Sequence, residues 1–313
     1  MPTVAISLWI WYNHSIRRRE KSMITIENES LRITISALGG TLHSILGKKT
    51  DTEYLWQGDE AVWNEQAPNL FPVIGRLKDK QYTLHGKTYA MGIHGFAAGK
   101  QMDLEERTAD SCVFFLRDDD ETMAAYPFRF AYRVGYALCG NALRVCYRVT
   151  NYSDETMYFA VGGHPGFNVP LEKGLRFDDY ALRFSEPCAP MAVRFSENVL
   201  VTGERVPYPL REGKVLPLKH ALFDDDAIVL ADAAKGVTLS SPKGERGLHV
   251  TYPDMRYVGF WHMPHMDAPY LCIEPWSALP GREGILEELS AMPDLTALAP
   301  GGVYENRWQI ELW

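Results

Sequence analysis

The sequence predicts an all-β protein, a large antiparallel β-sandwich with few short helices. Three observations carry this. Apolar residues recur with period two along most of the chain. Two long alternating runs, "FRFAYRVGYAL" (128–138) and "ALRVCYRVT" (142–150), flank a short turn and read as one antiparallel hairpin. Strand patterns do not alternate with helix patterns, which excludes a doubly wound parallel sheet.

Taken in order, "LRITIS" (31–36) sets Leu31, Ile33 and Ile35 against polar neighbours. "YTLHGKTYAM" (82–91) reads as a hairpin turning at His85-Gly86-Lys87. "CVFFLRD" (112–118) is a strand, and "DETMAAY" (120–126) a helix of two turns or so. In the long hairpin Phe128, Phe130, Tyr132, Val134, Tyr136 and Leu138 share one face, as do Leu143, Val145, Tyr147 and Val149. "MYFAV" (157–161), "YALRF" (180–184), "AIVL" (227–230), "GVTLSS" (236–241), "LHVTY" (248–252), "YVGFWHM" (257–263) and "YLCIEPW" (270–276) add strands. "GILEELSAM" (284–292) gives a second short helix. No repeat and no Pro/Gly/Ser-rich linker divides the chain, so residues 23–313 are expected to form a single domain.

Residues 1–22 are expected to be an N-terminal extension outside that fold. "VAISLWIWY" (4–12) is followed by Arg17-Arg18-Arg19, the reverse of the order in a secretory signal. It is also shorter than the roughly 20 residues a membrane-spanning helix needs, so no membrane association is expected. The 313 residues carry 46% hydrophobic and 23% charged side chains, ordinary for a globular protein. A net charge of -8 argues against a nucleic-acid partner. The five cysteines lack CxxC spacing and are expected to be reduced core residues of a cytoplasmic protein, a monomer or homodimer.

Several titratable residues stand beside turns. "NLFPVIGRL" (69–77) holds Asn69 and Arg76; "GIHGF" (92–96) holds His94; "GGHPGF" (162–167) holds His164. "LFDDDAIVL" (222–230) offers Asp224, Asp225 and Asp226, and "CIEPW" (272–276) holds Glu274 and Trp276. Each has a purely structural reading: a surface arginine closing a turn, capping histidines, a solvated acidic loop, an exposed edge-strand glutamate. Gly162 and Gly163 permit positive φ or the close approach of another group. The two histidine loops share a glycine–histidine–glycine/proline form, which suggests two imidazoles at one pocket. A buried Glu274 would have its pKa raised towards neutrality, as a general base requires. No HxH, HxxxH or His-x-Glu spacing indicates a metal, and no GxSxG indicates a nucleophilic serine. Arginine, aspartate and histidine beside an aromatic ring suit a polyhydroxylated ligand.

The ordered set "NLFPVIGRL", "GIHGF", "GGHPGF", "LFDDDAIVL", "CIEPW" and the closing "LAPGG" (298–302) resembles the aldose 1-epimerase (galactose mutarotase) family, in its LacX-like branch, over about residues 23–313. That resemblance implies the galactose mutarotase-like supersandwich. It also implies interconversion of the α and β anomers of a free sugar, with no cofactor. It assigns His164 as catalytic acid and Glu274 as catalytic base. Arg76, His94 and an aspartate (Asp226, then Asp225) would bind substrate, with Asn69 and Trp276 beside them. The alternatives are a non-catalytic carbohydrate-binding protein on the same fold and a hexose-6-phosphate 1-epimerase.

Overall fold

The computed structural model describes residues 23–313; the expectation for residues 1–22 lies outside the described residues. Two large antiparallel sheets dominate. One has nine strands, with Val303–Leu312, Ala142–Asn151 and Phe130–Cys139 adjacent near its middle. The other has eight, and its central strands Ile228–Ala231, Tyr257–Trp261 and Tyr270–Trp276 lie side by side. A four-stranded sheet formed by Met23–Glu27, Leu31–Ser36, Thr41–Gly47 and Thr52–Glu53 joins them.

The predicted hairpin is present, with Phe130 opposite Asn151 and Cys139 opposite Ala142. Its alternating apolar residues Tyr132, Val134, Val145, Tyr147 and Val149 are fully buried. They meet Leu230, Val258, Phe260, Leu271 and Ile273 of the eight-stranded sheet in one continuous apolar cluster. Period two thus divides the strand Tyr270–Trp276. Leu271 and Ile273 point into this core, while Tyr270, Cys272, Glu274 and Trp276 point to the opposite face. The second hairpin joins Gln81–Leu84 to Lys87–Ala90, with His85 and Gly86 both at positive φ.

The helix Asp120–Ala125 forms behind a capping box between Asp119 and Thr122. The second expected helix does not form: 284–292 holds only the 3₁₀ turn Leu289–Ala291. The physical reason lies in Glu287, which is 1% exposed and accepts hydrogen bonds from the backbone and guanidinium of Arg282. Its carbonyl accepts from Thr83 N–H, so this backbone bonds sideways to a neighbouring strand. The cysteines are all free, but only Cys112 and Cys272 are buried; Cys139 is exposed, at the end of its strand, and is not a core residue. Among the described residues no helix is long and apolar enough to cross a membrane.

Candidate active site

A cavity of about 220 Å³ opens on the polar face of the strand Tyr270–Trp276. Arg76, His94, His164, Asp226, Glu274 and Trp276 all line it. So do Trp63, Glu65 and Trp261, which sequence reasoning did not single out. Trp261 was legible in principle, since strand alternation puts it on the face opposite Phe260. Trp63 and Glu65 lie in irregular chain, and no periodicity marks them.

Glu274 is 1% exposed, in a strand where every residue is buried. It lies opposite Gly259, where a Cβ would come within 3.3 Å of its own. Burial pushes its carboxyl well above the usual carboxylate range, and the charge of Asp226 pushes it further. The indole of Trp276 opposes this, although its N–H closes no hydrogen bond of good geometry. His164 Nε2 stands 3.2 Å from Glu274 Oε2. That contact is also poorly aligned: Glu274 Oε2 and His164 Nδ1 are buried without a hydrogen-bond partner among the described residues. Burial, then neighbouring His94, lowers the His164 pKa well below the ordinary imidazole value.

His94 meets His164 edge to face, with ring centroids 5.4 Å apart. Its Nδ1 accepts the N–H of Gly75 at 3.0 Å, and the backbone N–H of His94 donates to Gly75 O. Burial and then the charge of Arg76 lower its pKa to about 4. The ring is therefore neutral near pH 7 with its proton on Nε2, the nitrogen left to donate. Arg76 is exposed and makes no ion pair among the described residues. Trp63 and Trp261 flank His164, with centroids 5.2 and 5.6 Å from its ring. Glu65 remains exposed at the mouth, and partial burial raises its pKa.

The three aspartates separate. Asp226 lines the pocket at φ 76, its carboxylate accepting the N–H of Ala227. Asp225 is exposed and does not line the pocket, while Asp224 turns to His265. Asn69 does not line it either. It is 2% exposed, and its amide bonds Gly39 O, Gly40 O and the hydroxyls of Tyr136 and Tyr147. The substrate-contact expectation for Asn69 is corrected accordingly: every polar atom of its side chain is used within the protein. The reading of Gly162 and Gly163 also changes, since neither has positive φ. A Cβ at Gly162 would meet Ile74 and Trp276 at 3.0 Å, and one at Gly163 would meet Trp308 at 2.7 Å. These glycines admit large side chains of the protein behind His164, rather than a ligand in front of it.

Comparison with known proteins agrees with this architecture. The aldose 1-epimerase family model matches residues 22–309. The chromosomal and plasmid LacX proteins of Lactococcus lactis are each 36% identical over 301 residues, covering 92% of this chain and 99% of theirs. A galactose mutarotase related enzyme from Lactobacillus acidophilus superposes with a TM-score of 0.89 at 34% identity, covering 93% of this chain and 97% of its own. A galactose mutarotase-like protein from Lactobacillus casei gives 0.88 at 33%, covering 93% and 100%. With a family model spanning nearly the whole chain and two such relatives in sequence and in structure, this protein belongs to the aldose 1-epimerase family.

Proposed function

We propose that the pocket interconverts the α and β anomers of a free aldose by acid–base ring opening. The observation that carries this is the buried pair of His164 and Glu274, 3.2 Å apart. Burial disfavours the charged form of both, so the pair is suited to holding one proton between them and passing it through a substrate. The shared proton first passes from Glu274 to His164; in that tautomer Glu274 takes the proton of the anomeric hydroxyl while His164 gives its own to the ring oxygen. The C1–O5 bond breaks, leaving an aldehyde at C1 and a hydroxyl at O5. Rotation about C1–C2 presents the other carbonyl face, and the two groups exchange roles as the ring closes. What the protein must supply to the breaking and re-forming of C1–O5 is proton transfer, of the kind these two side chains perform.

His94 Nε2–H, Arg76 and Asp226 supply donors and acceptors for hydroxyl groups, and the indoles of Trp63 and Trp261 supply apolar faces for the ring. The charge of the site favours an unphosphorylated sugar. Among the described residues that line the pocket Arg76 is the one arginine or lysine, and Asp226 and Glu65 are set beside it. Arg282, the other arginine near these loops, is held by Glu287 at 2.8 Å. The adjoining groove beyond Arg76 sets Lys78 and Lys80 against Asp79 and Glu283, adding no net charge.

The test is an anomer-exchange assay, by polarimetry or NMR, over free and phosphorylated aldoses. Glu274→Gln and His164→Asn should each lower kcat by at least about 10²-fold while remaining folded. Near wild-type exchange in either variant overturns the role given to that residue. Sugar binding by the wild type without exchange would support a carbohydrate-binding protein instead.

A further inference from the structure

One continuous segment, residues 66–76, holds both imidazoles. Its first half fixes the His164 loop. Gln66 O accepts from Gly166 N–H, and Pro68 O accepts from His164 N–H. Asn69 pairs with Gly163, and Leu70 with Gly162. Its second half fixes the His94 loop. Phe71 O accepts from the N–H groups of Phe96 and Ala97, and Gly75 exchanges both backbone and ring hydrogen bonds with His94. The segment ends at Arg76. Any shift of this strap relative to the sheet would therefore move three pocket residues together.

What pins the strap sideways is Asn69. Its Nδ2 reaches Gly39 O at 3.0 Å, Gly40 O at 2.9 Å and Tyr136 Oη at 3.0 Å. Its Oδ1 accepts the Tyr147 hydroxyl at 3.0 Å. Tyr136 closes the circuit by donating to Gly40 O. Tyr136 and Tyr147 belong to the central hairpin of the nine-stranded sheet, and Gly40 to the turn before the strand Thr41–Gly47. One buried amide thus joins two separate parts of the fold, the central hairpin and the Gly39-Gly40 turn, to the backbone position opposite Gly163, next to the catalytic histidine.

We infer that Asn69 is a positioning residue for His164. It does not meet substrate. It sets the distance of the imidazole from Glu274 by locking the strap to the rigid sheet behind it. This rests on the acid–base reading above. Proton transfer depends steeply on such placement, and a displacement near 1 Å can cost up to about 10²-fold in rate. Ground-state sugar contacts come from residues on other loops as well and should be less affected.

The experiment measures kcat, KM and the pH profile of anomer exchange for Asn69→Ala and Tyr147→Phe, per folded molecule as judged by circular dichroism. Asn69→Ala should lower kcat by at least about tenfold, with KM within about threefold of wild type. Tyr147→Phe, which removes one hydrogen bond of the circuit, should lower kcat about 2- to 10-fold in the same pattern. The pH of half-maximal kcat should move in both, which a smaller folded fraction would not cause. Wild-type kcat in folded Asn69→Ala, or a raised KM with kcat intact, overturns the inference. If Asn69→Ala does not fold, Tyr147→Phe decides: a lower kcat supports the inference and an unchanged one overturns it. A wild-type protein that exchanges no aldose would instead defeat the acid–base reading itself.

Discussion

Acidification probes the environment of His94 directly. In the unfolded chain this imidazole titrates near 6.5; in the fold its pKa lies at about 4. Below pH 6.5 the unfolded state takes up a proton that the native state refuses, so stability falls as the pH drops from about 6.5 towards 4. Above 6.5 both states are neutral at this ring and the effect vanishes. The difference between 6.5 and about 4 corresponds to about 3 kcal/mol. Carboxylates also titrate in this window, so the measurement is a difference between two proteins. Urea unfolding of wild type and His94→Gln at about pH 7.5 and pH 4 should show the wild type losing about 3 kcal/mol more than the variant. An NMR titration of the His94 ring should independently place its midpoint near 4. A midpoint at or above 6 would refute the reasoning, because the ring would then be solvated and free to carry charge. The consequence for chemistry is specific: an acidic limb lying well above pH 4 should not belong to His94, which is there a neutral Nε2–H donor.

Removing the Asp226 charge should lower the Glu274 pKa, since that charge helps to raise it; Asp226→Asn should shift the acidic limb of kcat/KM to lower pH. Asp226→Ala should raise KM about tenfold, whereas Asp225→Ala, on an exposed residue outside the pocket, should stay within about twofold. Equal effects from the two would show that the wrong aspartate is in the site. Gly95→Ala should lower the melting temperature by several degrees. Gly95 has φ +79, and a Cβ there would sit 2.2 Å from Phe71 O, a backbone atom of the segment that holds both histidines.

The parts of this protein that could be read from sequence are those governed by neighbours along the chain. The hairpin 128–150 announces itself because burial of one face imposes strict alternation, and the short helix at 120–126 shows in its local composition. His164, His94, Arg76 and Glu274 stood out as titratable groups among glycines, prolines and apolar runs. Asn69 was misread because its partners, Gly39, Gly40, Tyr136 and Tyr147, are distant in sequence; nothing near "NLFP" reveals that its amide is already occupied. The segment 284–292 has helical composition, yet the Arg282–Glu287 bridge and the bond to Thr83 decide its shape from outside. Trp63 enters the pocket by the course of an irregular loop, which no period encodes.

Two of the pocket's polar residues, His94 at φ 59 and Asp226 at φ 76, hold left-handed backbone conformations that glycine or asparagine would occupy more easily. Each costs the native state on the order of 1 kcal/mol, a sum that the surrounding hydrogen bonds must offset. Glycine would relieve this strain at either position and erase the site in the process, while at His94 it would also remove the ring that accepts the Gly75 N–H. Backbone ease and turnover pull in opposite directions here, and a selection that scores only one of them will drift away from the other.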